Sequence, residues 1–263
     1  MTPRARVWVT VALAAVAAAG AVAGVTLATR QTPEQPQARA ERPPFVFDRR
    51  TPAENEIKAA FRAWPKGTLD RMEEIGKQYP RDPVVQFHLA LARVYSGYGD
   101  DAVAALRAAK RLGRDTPYEV RADNILHPQF FGSGYPIFQP TRPNALLERG
   151  VRLQRQWRQH SAERLYLRAA KLAPDDDEAQ VAAAVGRFDM DRLSTSFSRL
   201  GPLTRRFPRS QSVRFHLGLL LAWTGQRESA VAQFRRARAL GPDSTLGREA
   251  NTFLSRLVDS GTK

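Results

Sequence analysis

Few residues in this chain have the type and spacing to do chemistry, and each group can be weighed by what its chemistry requires. Gly97-Tyr98-Gly99-Asp100-Asp101-Ala102 matches the G-x-G-x-x-A pattern that cradles a pyrophosphate. Such a loop works only between a strand and a helix, whereas helical patterning lies on both sides here, which makes the match a turn. Gly132-Ser133-Gly134 lacks the spacing of a nucleophile elbow. Asp123, Asn124 and His127 could offer metal ligands, but three such groups in one loop serve more often as local hydrogen-bonding partners. His160 falls in a turn, while His88 and His216 stand at the same place in two related stretches, so a packing role shared by both explains them. Asp175-Asp176-Asp177-Glu178 sits where a helix should begin, and its carboxylates read as caps for free backbone amides. The chain has no cysteine, which removes thiol chemistry, disulfides and lipid attachment through a lipobox. No catalytic residue, cofactor or metal site is expected; the chain reads as a binder, not an enzyme.

Formal net charge is +15, and only six of the 41 basic residues are lysine. So basic a chain favours anionic partners: headgroups, acidic polymers, acidic proteins or nucleic acid. The arginines are spread along its whole length, however, with Arg205-Arg206 and Arg235-Arg236 the only dense pairs near apolar stripes. A nucleic-acid reader shows a compact basic patch with interleaved aromatics. Nucleic acid is therefore not an expected partner, and peripheral binding to anionic surfaces or polymers is the alternative function.

The elements that carry these residues are repeats. Pro174, Pro208 and Pro242 lie 34 residues apart, and residues 79–113 realign on 207–241 with 15 identities in 35 positions. The shared core is Phe87-His88-Leu89 against Phe215-His216-Leu217, then Gly97/Gly225, Ala102-Val103-Ala104/Ala230-Val231-Ala232 and Leu112-Gly113/Leu240-Gly241. Within 211–244, Phe215, Leu219, Ala222 and Trp223 recur at spacings of three and four, one helical stripe facing a neighbour. The closing prolines define windows 49–82, 83–116, 143–176, 177–210 and 211–244, with residues 117–142 inserted after the second. Leu246, Ala250, Phe253, Leu254 and Leu257 form one further stripe, suited to a capping helix over 245–258, with 259–263 a tail.

Leu217-Gly218, Leu221, Ala230, Phe234, Ala237 and Pro242 in the last window resemble the tetratricopeptide repeat, a 34-residue helix-turn-helix. The resemblance covers about four fifths of the chain. It is weaker in 49–82, with Glu56, Thr68 and Ile75 at small-residue positions, and in 177–210, with Arg187, Ser196 and Leu203; in 83–116, Arg114 replaces the closing proline. It implies an all-α, right-handed solenoid over 49–258 that mediates protein–protein interaction. Its groove offsets fall on Ile57, Phe61, Phe87, Leu91, Val94, Tyr95, Leu147, Val151, Val181, Val185, Phe188, Phe215, Leu219 and Trp223, more apolar than a free surface tolerates.

Residues 7–29 form an uncharged run of 23 residues between Arg6 and Arg30, about 35 Å long as a helix and so able to span a bilayer. A cleaved signal with Ala21-Val22-Ala23 as its site competes with this reading. An uncleaved anchor over 1–30 is favoured, because the apolar run continues through Val25 and Leu27. Five arginines follow the run and two precede it, which taken alone would keep the repeats in the cytoplasm. The layout of a short basic start before an apolar run instead favours export, so the expectation is a single-pass membrane protein with an extracytoplasmic repeat domain. Residues 31–48, with four prolines, read as a semi-extended linker.

The insertion 117–142 holds Tyr118, Phe130, Phe131, Tyr135 and Phe138 among prolines and glycines. A long loop within a compact array is functional or folded onto something. The expected partner is another protein or peptide segment, with the chain's own insertion as one candidate: its aromatics would lie in the groove against Tyr95, Leu147 and Val151. Envelope assembly or protein maturation is the setting that the resemblance suggests.

Overall fold

The computed structural model describes residues 38–130 and 134–259. Among them twelve helices and no strand occur. They form two compact units, divided in the chain between Pro128 and Gln129, where the sequence suggested a single array over 49–258. The first holds α1 (Glu54–Arg62), α2 (Thr68–Gln78), α3 (Pro83–Tyr95), α4 (Gly99–Leu112) and α5 (Pro117–Leu126). The second holds α6 (Ala145–Arg155), α7 (Gln159–Leu172), α8 (Asp177–Val185), α9 (Ser194–Arg206), α10 (Gln211–Trp223), α11 (Arg227–Leu240) and α12 (Thr245–Asp259). The helices pair within the 34-residue windows.

Within each unit every helix packs on its chain neighbour, and alternate helices also touch: α3 with α5, α8 with α10, and α10 with α12. Such packing between near neighbours in the chain is how a helical repeat buries stripes too small to form a core alone. Close approach depends on small residues. Gly150 of α6 and Gly186 after α8 flank the buried Tyr166 ring of α7, and a β-carbon on Gly150 would stand 2.2 Å from Tyr166 Cε1. Gly218 of α10 meets the ring of Phe234 in α11 in the same way, at 3.0 Å.

The helices start and stop for local reasons. Asp82, Asn144, Asp176 and Ser210 cap α3, α6, α8 and α10, each side-chain oxygen accepting from backbone N–H groups of the first turn. Three pairs turn alike: Tyr98, Arg158 and Gln226 donate their N–H five residues back, at 2.8–2.9 Å. The preceding residue, Gly97, Trp157 or Gly225, takes positive φ, which closes the helix end. The Gly97–Ala102 motif is thus a helix-to-helix turn at Gly97-Tyr98 that runs into the first turn of α4.

Two expectations are corrected. The insertion is not one loop: Pro117–Leu126 is α5, with Pro117 in its first turn, where a missing N–H costs nothing. Nor does the semi-extended linker stand clear of the fold over its whole length, because 38–48 lies against the first unit. No helix among the described residues is long and apolar enough to cross a membrane; the expected span 7–29 lies outside the described residues.

Candidate functional site

The geometry of interest begins at two histidines. His88 in α3 and His216 in α10 are fully buried. Each places Nδ1 on the carbonyl four residues back, Val84 at 2.7 Å and Ser212 at 2.8 Å. A carbonyl only accepts, so Nδ1 carries the proton and Nε2 is left an acceptor. Burial pulls both imidazoles down to about 4, against the raising effect of those carbonyls; at neutral pH they are uncharged rings. Each carries a phenylalanine on its face. Phe47 stacks on His88 at 5.0 Å with an interplanar angle of 15°, and Phe138 on His216 at 4.9 Å and 26°.

Both phenylalanines come from irregular segments ahead of their own arrays. Val46-Phe47 stands seven residues before α1 starts, counted from Phe47, and Ile137-Phe138 stands seven before α6, with Pro52 and Pro143 at matching places. In the second unit, burial alternates along the segment, with Gly134, Pro136 and Phe138 buried and Tyr135, Ile137 and Gln139 half-buried, the period of extended chain. Phe138 is enclosed by Tyr166 as well as His216, and Phe130 and Tyr135 meet the ring of Phe188 at 6.5 and 5.9 Å.

Side chains of the second unit read the backbone of this segment. The buried Gln154 amide accepts from Phe138 N–H at 3.0 Å and donates to the Pro136 carbonyl at 3.3 Å. Tyr166 Oη donates to the same Gln154 oxygen at 2.8 Å and Gln159 accepts from its nitrogen at 3.3 Å, which fixes the amide orientation. Gln139 N–H donates to His216 Nε2 at 3.0 Å. Glu178, buried, accepts from the Thr141 N–H at 3.0 Å, from its hydroxyl, and from Arg142 N–H at 3.3 Å. The Arg142 guanidinium bridges Asp176 and Asp177 at 2.6 and 2.5 Å. The acidic run at 175–178 therefore does more than cap: Asp176 caps α8, while Asp177 and Glu178 hold the segment. Asp177 sits below the usual carboxylate range although burial pushes it up, because Ser210 and Arg142 bond to it.

In the first unit the counterpart is held differently. Phe45 meets Phe61 at 5.8 Å and Phe47 at 6.0 Å. Tyr118 of α5, its hydroxyl pushed up to about 12 mainly by burial, donates to Val46 carbonyl at 2.9 Å and accepts from Asp48 N–H at 3.2 Å. Arg39 N–H donates to the Tyr95 carbonyl at 2.8 Å, and Trp64 Nε1 donates to the Arg39 carbonyl at 3.0 Å.

Of the residues assigned to a groove from sequence, Ile57, Phe61, Phe87, Leu91, Val94 and Tyr95 are buried in the first unit. Leu147, Val151, Val181, Val185, Phe188, Phe215 and Leu219 are buried in the second, where Trp223 is half-buried. Leu147 and Val151 share one core with Phe138. Tyr95 meets Trp64 at 6.2 Å and the Arg39 guanidinium at 5.2 Å. Tyr118 is buried in the first core, and Phe131 lies outside the described residues. Asp123 is buried and ion-paired to Lys110 at 2.5 Å. Sequence reasoning missed Gln154, Tyr166 and Glu178 as segment-holding groups, and Phe45 and Phe47 as ligands of the first unit. The signal for the latter was present, an aromatic pair set before the array like Ile137-Phe138. The chain matches no protein-family model and no curated protein sequence.

Proposed function

We propose that this chain is an interaction scaffold of the tetratricopeptide-repeat type, with right-handed stacking in its arrays, that holds extended peptide segments of a protein partner. Anchorage through residues 7–29 and an extracytoplasmic repeat domain belong to the same proposal. One observation carries it: Gln154, His216 and Glu178 satisfy successive backbone groups of residues 136–142. Side chains that pair with main-chain N–H and C=O groups hold a segment largely independently of its sequence, while the enclosure of Phe138 supplies selectivity. The chain's own segment is the occupant in the structure, and tethering gives it a high effective concentration. A partner segment of the same kind is the ligand class the site fits.

The test replaces residues 136–141 in the full chain by Gly/Ser and titrates a fluorescent peptide of residues 134–144 into it. Saturable binding that is lost on adding Gln154→Leu supports the reading. A variant with wild-type helicity that binds nothing overturns it.

A further inference from the structure

The two histidines are equivalent in sequence, tautomer and stacked ring, but not in what their Nε2 atoms do. His216 Nε2 accepts the N–H of Gln139, the residue after the stacked phenylalanine. His88 Nε2 is equally buried and has no hydrogen-bond partner among the described residues. The amide that should serve it belongs to Asp48, the residue after Phe47, and that N–H is given to Tyr118 Oη instead. An acceptor buried without a donor bears the full cost of its lost hydration. Phe47 is only half-buried where Phe138 is fully enclosed, and Asp48 is tied to Arg121 at the surface.

From this contrast we infer that the first unit's groove is the exchangeable one: residues 38–48 are its provisional occupant, and a partner's extended segment replaces them. The chemistry of that segment follows from the second unit. It carries an aromatic side chain to stack on His88, followed by a residue whose N–H is free to reach Nε2, so proline is excluded there. The second unit's segment, held by Gln154, His216 and Glu178, stays in place. This inference rests on the scaffold reading above.

A fluorescein-labelled peptide of residues 134–144 is the probe, because its own sequence already makes the required bond to His216. It is titrated into the full chain in detergent micelles and read by anisotropy. Phe47→Ala, which weakens the competing segment, is expected to tighten binding by about tenfold or more, and by more than Phe138→Ala does. Peptide N-methylated at the residue after phenylalanine should bind about tenfold more weakly. Phe47→Leu, which keeps apolar bulk but loses ring stacking, replaces Phe47→Ala if that variant does not fold. A gain in Phe138→Ala instead of the Phe47 variants overturns the inference and leaves the scaffold reading standing. Equal affinity for the N-methylated peptide overturns the role of His88 Nε2. No binding by any variant overturns both.

Discussion

At the residue scale, the extended segment is held by side chains whose polar atoms are buried and committed. Gln154 serves Phe138 N–H, the Pro136 carbonyl, Tyr166 and Gln159 at once. Gln154→Leu keeps the bulk but strands the Phe138 N–H and the Tyr166 hydroxyl, so it should cost roughly 2–4 kcal/mol in chemical denaturation. A loss within about 0.5 kcal/mol would show that the amide is not so engaged. His216 faces Phe138, Phe215, Ser212 and Gln139, and its fall to about 4 is due chiefly to burial. His88 is lowered by burial and by Arg121, with Asp82 acting the other way. Because folding depresses these two bases, their contribution to stability is complete above their unfolded value near 6.5 and is lost as pH falls from there through about 4. NMR titration of the two Cε1–H signals should give midpoints near 4, and midpoints near the unperturbed value of about 6.5 would contradict the burial. The sequence showed that these two histidines share one structural cause; it did not show the phenylalanine that each supports, because the partners are 41 and 78 residues away.

At the scale of elements, periodicity and proline spacing made the helix pairs legible, since each stripe repeats at three and four residues and four of the five pairs close near a proline. What local pattern could not show was α5. Pro117 and Thr116 give a start signal, but the Pro- and Gly-rich residues that follow Leu126 made the whole insertion look irregular. The close packing of pairs makes a further prediction. In Gly150→Ala the new methyl meets the Tyr166 ring, which is held between Gly150 and Gly186 and cannot retreat. The variant should lose about 1–3 kcal/mol. Gly201→Ala in α9, where nothing lies within 4 Å of the added carbon, should gain up to about 1 kcal/mol from helix propensity. Thermal melts of the pair measure both, and equal midpoints would refute the packing argument.

At the scale of the whole molecule, the chain reads as two helical units, each bearing an extended aromatic segment seated on a buried histidine. The apolar positions that the resemblance assigned to a groove and the aromatic insertion were both visible in the sequence as surfaces in need of burial. Which aromatic fills which place was not, because it depends on buried polar groups, Gln154 and Glu178, that stand alone within apolar or capping patterns. Replacing residues 134–141 by Gly/Ser should expose apolar surface and raise binding of a hydrophobic dye, whereas unchanged dye binding would mean that another element covers the site. The central claim is that the segment is held by specific backbone bonds rather than lying loosely on the fold, and amide hydrogen exchange of the full chain, read at Phe138, Gln139 and Thr141, tests it most directly. These three N–H groups should be protected by about a hundredfold or more, as amides released only by local opening are, and Gln154→Leu should remove the protection at Phe138. Exchange of all three at the rate of an unstructured loop in the wild-type protein would contradict the account.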